Sequence, residues 1–174
     1  MKPGRGAAKG SGFERKMARE LSQWFYGAPN YLWRRPGSGY IKIHYRHTGD
    51  IIPLGDKPVP WPWPFHVELK FYKDLDLIKL ITDADKSFIK KTWFKATKEA
   101  RQDLDVILLV KENRHKELVF MRVSTYVKLG LDRSGSELLF NDNSEDSSVL
   151  GFAWAELRAY KGLAQVYFDK TRLG

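Results

Sequence analysis

The chain has 174 residues, which suits one domain around one hydrophobic core. It contains no cysteine, which excludes disulfides and cysteine-ligated zinc, and no apolar run approaches the roughly 20 residues of a membrane helix. The formal net charge is +9, and residues 1–50 hold ten Lys or Arg against three acids, so a net +7 sits in the first third and points to a polyanionic partner.

Residues 1–10 are rich in Gly, Lys and Arg and read as a flexible basic arm. No apolar stretch follows Met1–Gly6, so the expectation is a cytoplasmic protein without a secretory leader. Ser11-Gly12-Phe13-Glu14 fits a helix capping box, with Ser11 as cap and Glu14 reaching back. Phe13, Met17, Leu21 and Trp24 or Phe25 follow at helical spacing, and Gly27 with Pro29 stops the helix near Tyr26. Tyr31–Arg34 reads as a strand, Arg34–Gly39 as a basic glycine-containing loop, and Tyr40–Tyr45 as its continuation.

Gly49-Asp50-Ile51-Ile52 reads as a short strand headed by an acid. Five of the eight prolines lie between Pro53 and Pro64. Proline donates no ladder hydrogen bond, so this stretch is a stiff extended connection, expected to act as a long hairpin loop to the next strand. Trp61 and Trp63 within it are candidates for burial, for a dimer contact or for stacking on an unpaired base.

Phe65–Tyr72 is the strand on which the rest turns. Alternation sends Val67, Leu69 and Phe71 to a core and leaves His66, Glu68, Lys70 and Tyr72 on the other face. Beyond it, Leu75–Ile81 suits a short helix, and Thr82 or Asp83 caps a helix running to about Arg101. Ile89, Trp93, Ala96 and Ala100 form its apolar stripe, with Lys91, Lys95 and Lys98 together on another face. Asp105–Val110 is a buried strand, paired with Glu117–Val123 across a turn near Asn113. Residues 132–149 read as a polar loop, Gly151–Tyr160 as a closing helix and Leu163–Phe168 as a last strand. The pattern predicts an α/β fold, with a mixed central sheet flanked by helices, in one domain. A catalytic core would cover about 11–123 and a C-terminal extension about 124–174.

Two carboxylates brought together, Asp50 and Glu68, make the hard oxygen set that a divalent ion such as magnesium takes. Lys70 shares a strand face with Glu68, either as an ion-pair partner or as a cation aimed at a phosphate. His44, His47, His66 and His115 do not form a zinc set, and no histidine is poised as base for a nucleophilic serine.

In chain order the marks are Lys9-Gly10-Ser11 leading to Glu14-Arg15, Arg34 followed by Gly37-Ser38-Gly39, Asp50-Ile51-Ile52, and Glu68-Leu69-Lys70. This set resembles the archaeal-type Holliday junction resolvases, also found in phages, of the restriction-endonuclease-like PD-(D/E)XK superfamily. The resemblance spans roughly residues 5–110. It implies a restriction-endonuclease-like core and a magnesium-dependent homodimer, with manganese able to substitute, acting in recombination and repair by cutting four-way DNA junctions. By motif match it implies Asp50 and Glu68 as metal ligands, with Glu14, Lys70 and Ser38 beside them in catalysis. It also implies Arg5, Lys9, Arg34 and Arg35 as DNA contacts. The long Pro/Trp connection and the tail after Ser124 depart from the family pattern. Another nuclease of the same fold, or a non-catalytic nucleic-acid-binding protein, is the alternative reading.

Overall fold

The computed structural model describes residues 5–35, 49–55, 58–73, 87–131, 138–142 and 148–171, with backbone only at 5–9 and 138–139. The predicted Tyr40–Tyr45 segment, the Leu75–Ile81 helix, the Thr82 or Asp83 cap and Ser38 lie outside these residues.

Helix α1 (Arg5–Tyr26) starts at Arg5 rather than at Ser11. Ser11 and Glu14 are therefore interior helical positions, and the capping box does not form. The apolar spacing does hold: Phe13, Met17, Leu21, Trp24 and Phe25 are all buried. Gly27, at φ +77°, ends the helix as expected, its N–H donating to the Gln23 carbonyl at 3.0 Å.

Strands β1 (Leu32–Arg34) and β2 (Ile51–Pro53) pair antiparallel as a separate ribbon. Strands β3 (Phe65–Tyr72), β4 (Asp105–Glu112), β5 (Glu117–Arg122), β6 (Leu138–Asn141) and β7 (Ser148–Ala153) form the central sheet in the order β3-β4-β5-β7-β6. The β3–β4 pair is parallel and the other pairs are antiparallel, so the sheet is mixed as predicted. The Pro/Trp connection is not a hairpin loop. The β2 lead-in touches β3 through one parallel bridge, Gly49 to Val67, while β2 keeps its ladder with β1.

Helix α2 (Phe88–Glu99) begins after Ser87, later than expected. Short helices α3 (Val123–Lys128), α4 (Trp154–Leu157) and α5 (Ala164–Thr171) complete the described elements. Two predicted elements change type. Ser148–Ala153 is an inner strand where the sequence pattern predicts the end of a polar loop and, from Gly151, the start of a helix, because Val149 and Leu150 are buried on opposite faces of the sheet. Its Gly151 leaves room for the Phe120 ring, which a Cβ there would overlap. Leu163–Phe168 coils into α5 because Leu163, Ala164 and Tyr167 are buried while Val166 stays exposed, a helical spacing. The expected polar loop at 132–149 contains β6 at its centre. The tail after Ser124 thus supplies two strands of the central sheet.

Alternation divides the core into two layers. Val67, Leu69, Ile107, Leu109, Val119, Met121 and Leu150 face α1, α3, α4 and α5. Val106, Leu108, Val110, Phe120 and Val149 face α2, whose Ile89, Trp93 and Ala96 cover them. Trp63 is 1 % exposed and packs edge-on against Phe25 and Phe65, at 5.4 and 5.0 Å between centroids. Trp61 stacks on Phe168 of α5 at 5.4 Å, and its carbonyl accepts from Tyr26 Oη at 3.1 Å. The proline segment is thereby clamped to α1 and α5.

Candidate active site

The site lies at the free edge of β3, on the sheet face that α2 covers. Among the described residues, β3 has a full strand partner, β4, on one side only. On its open side Asp50 takes the place of a neighbouring strand. The Asp50 N–H donates to the Val67 carbonyl at 2.7 Å, and the Leu69 N–H donates to Asp50 Oδ2 at 2.7 Å. One residue thus satisfies two backbone groups of the strand that carries Glu68 and Lys70. This seam requires Gly49, which has φ +102° and approaches so closely that a Cβ would sit 2.7 Å from the Val67 oxygen. The Arg35 N–H donates to the Asp50 carbonyl at 2.7 Å, tying the end of β1 to the same point.

On β3 the predicted alternation holds. Glu68 is 7 % exposed, and Lys70 Nζ donates to its Oε1 and reaches the Leu69 carbonyl at 3.5 Å. An open cleft of about 490 Å³ is lined by Arg35, Gly49, Asp50, His66, Glu68, Lys70, Lys95 and Glu99. The structure therefore brings together Asp50, Glu68, Lys70 and Arg35 as the sequence suggests. It adds Gly49 from the β2 lead-in and Lys95 and Glu99 from α2.

Glu14 stands beside this group on α1. Arg34 Nη1 donates to Glu14 Oε2 at 3.3 Å, so Arg34 is engaged with an acid within the chain. Arg5 and Lys9 fall in the first turns of α1, and their side chains lie outside the described residues. His66 lines the cleft but is 1 % exposed. Among the described residues no group of three His, Cys, Asp or Glu is placed to hold a metal ion.

The electrostatics reflect two buried acids at one place. Burial pushes the Asp50 carboxyl up to about 6, with the charges of Glu68 and Glu14 adding to it. The Leu69 hydrogen bond and Lys70 act the other way without prevailing. Burial depresses the Lys70 ammonium, yet its hydrogen bond to Glu68 and the charges of Glu68 and Asp50 outweigh that and hold its pKa above the usual lysine value. Burial holds the His66 imidazole below its ordinary value, opposed by Glu68 and Glu99 and assisted by Arg35. Two largely buried carboxylates, Asp50 and Glu68, line one open cleft, a donor set whose charge a bound cation neutralises. Magnesium is bound through one or two carboxylates plus water and substrate phosphates, so two acids in an open cleft fit it without a third protein ligand.

The signal that points to Gly49 is the Gly-Asp pair itself, since a glycine before a strand acid allows close backbone approach. Lys95 and Glu99 carry no such signal, being linked to the acids only through the docking of α2.

Among the described residues no helix is long and apolar enough to cross a membrane. No curated protein and no solved structure matches the chain. A sequence model of the family described as "Phage putative PDDEXK endonuclease" matches residues 6–160, a span that includes most of α1, the Asp50 and Glu-x-Lys segments, α2 and every strand of the sheet. With a mixed sheet flanked by helices, and Asp50 set against Glu68-x-Lys70 at its edge, the chain belongs to this family of PD-(D/E)XK nucleases, hydrolases of phosphodiester bonds.

Proposed function

We propose that the protein is a magnesium-dependent DNA endonuclease selective for four-way junctions, cutting them by paired phosphodiester hydrolysis as a homodimer. The observation that carries the catalytic part is the Asp50 carboxyl, anchored by the Leu69 N–H beside Glu68 and Lys70 and pushed up to about 6 by its burial. The junction preference rests on the basic lead-in to Glu14 and the Arg34-x-x-Gly37-Ser38-Gly39 sequence motif.

Asp50 and Glu68 would hold the magnesium ion, and manganese shares the same preference for oxygen ligands. When bound, such an ion lowers the pKa of a water molecule and neutralises phosphate oxygens. Lys70 shares the cleft and donates to charge that develops on the phosphate. Glu68 holds the Lys70 ammonium in place by the hydrogen bond they share. Glu14 adds a third negative charge felt at Asp50, and Arg34 restrains it. Arg35, exposed at the cleft, binds phosphate, with Arg5, Lys9 and Ser38 as further contacts.

The test is single-turnover cleavage, with magnesium, of a labelled four-way junction and of the linear duplex matching its arms. The expected result is symmetric paired nicks in the junction, little cutting of the duplex, and no cutting of either by Asp50→Asn. Equal cutting of both substrates would make the protein a general nuclease of the same fold. Binding without any cleavage by the wild type would make it a non-catalytic nucleic-acid-binding protein.

A further inference from the structure

Helix α2 is the element that the nuclease reading leaves unused. Its buried face, Ile89, Thr92, Trp93 and Ala96, covers the sheet layer beneath the cleft. Its solvent side carries Lys90, Lys91, Lys95 and Lys98 against one acid, Glu99. Lys91, Lys95 and Lys98 fall at i, i+4 and i+7, within about 60° of one another round the helix and about 6 and 10 Å apart along it. Of these, Lys95 lines the cleft with Asp50, Glu68 and Lys70. Lys91 and Lys98 are exposed. Lys95 meets Glu99 at 3.7 Å, with both side chains more than half exposed. An exposed i,i+4 pair of this kind is weak and yields readily to a stronger anion.

We propose that the Lys91–Lys95–Lys98 stripe of α2 is a backbone track for duplex DNA. It grips the strand leading into the cleft, opposite Arg35, with Glu99 as a negative charge that limits this grip. The inference rests on the nuclease reading and names the element that holds its substrate. Three observations carry it. The stripe is continuous with the catalytic cleft through Lys95, so, among the described residues, the basic groups that flank a strand whose phosphate reaches Lys70 are those of α2 and Arg35. Successive phosphates of one strand lie about 7 Å apart, so a span of about 10 Å, extended at each end by flexible lysine stems, meets two to three of them. All three lysines are exposed and the ion pair of Lys95 stays within α2, unlike Lys16 with Glu117 at 2.6 Å and Lys128 with Asp105 at 3.1 Å, which tie separate elements together. Lysine heads on flexible stems suit sequence-independent phosphate contact.

The experiment measures DNA affinity against salt for protein stripped of magnesium and supplied with calcium, using a labelled four-way junction and a linear duplex. Neutralising three phosphate contacts should lower the slope of log K against log salt by about two to three. K91Q/K95Q/K98Q should show that loss and bind on the order of a hundredfold more weakly at about 0.1 M salt. Glu99→Gln should do the opposite, tightening binding by about a few-fold, because it removes a like charge from the path of the phosphates and releases Lys95. R158Q/K161Q/K170Q removes the same charge from exposed positions near α4 and α5, on the opposite face of the sheet, and should change the slope by less than about one. Melting temperatures separate binding loss from misfolding, and the gain expected of Glu99→Gln cannot come from misfolding. Equal slope losses in the two triple variants, or an unchanged slope in the α2 triple, would overturn the track while leaving the nuclease reading standing. A wild type that binds neither DNA would sink both.

Discussion

Replacing Asp50 with Asn should stabilise the metal-free protein while abolishing cleavage. In the native state the Asp50 carboxyl is pushed from its ordinary 3.8 up to about 6, chiefly by burial and then by Glu68. Each tenfold change in an ionisation equilibrium is worth about 1.4 kcal/mol, so ionised Asp50 opposes folding by up to about 3 kcal/mol, and by about 2 once its partial exposure is allowed for. Because the folded value exceeds the unfolded one, this cost is absent below about pH 4, grows between about 4 and 6, and is fully present above 6. Asn keeps an oxygen to accept from the Leu69 N–H and carries no charge. At about 2–4 °C per kcal/mol for a domain of this size, Asp50→Asn should melt about 4–10 °C higher than wild type in EDTA at about pH 7.5, with the gap closing by about pH 4. Magnesium should raise the wild-type melting temperature and leave the variant unmoved, since only the wild type binds it. Differential scanning calorimetry at the two pH values, with and without magnesium, together with junction cleavage, checks each part. A variant that melts lower at the higher pH, or one that still cuts, would refute the assignment of Asp50.

Lys70→Met should slow single-turnover cleavage by about a hundred- to a thousand-fold while costing about 1–3 kcal/mol of stability, since buried Glu68 loses its partner, and Lys70→Arg should also be slow because its planar fork replaces a point charge. Unchanged rates with lowered melting would make Lys70 a structural partner of Glu68 only. Gly49→Ala should destabilise by at least about 2 kcal/mol, through strain at φ +102° and overlap with the Val67 backbone, and should depress cleavage in the fraction that folds. Urea unfolding reads the first effect, and a wild-type midpoint would show that the Gly49 seam is not tight. Sedimentation at micromolar concentration should give about twice 20.2 kDa, since a two-fold junction calls for two symmetric sites; a strict monomer that still makes paired nicks would contradict this.

Asp50, Glu68 and Lys70 are legible in the sequence because alternation on one strand and a spaced acid are local signals, whereas Arg35 comes only from the family resemblance. Lys95 and Glu99 are not, because their place in the cleft depends on which face α2 buries against Val106, Leu108 and Val110. The sheet is harder still. β7 is buried on both faces, so its apolar run lacks alternation and resembles a helix segment, and the residues that follow it do coil into α4. α5 misleads for the converse reason, since Val166, Tyr167 and Phe168 are strand-prone residues that tertiary packing coils into a helix. Glu14 fits a capping box by spacing, but the helical run continues upstream to Arg5 and frees Glu14 to meet Arg34.

An unpaired edge strand is a hazard, because its free N–H and C=O groups invite pairing with other chains. Among the described residues, β3 would be such an edge if Asp50 did not cover it with one backbone and one side-chain hydrogen bond. The same residue therefore closes the sheet and lines the cleft with its carboxylate. These two duties separate cleanly by substitution. Asp50→Ala removes the charge and also the acceptor for Leu69, leaving a partly buried N–H unsatisfied at a cost of about 1–3 kcal/mol. Asp50→Asn removes the charge alone. Both should be inactive, but Asn should be the more stable of the two by that amount in EDTA near neutral pH, and hydrogen exchange at the Leu69 amide should quicken in Ala only. Equal stability and equal Leu69 protection in the two variants would mean that the edge is held by something other than the Asp50 carboxylate.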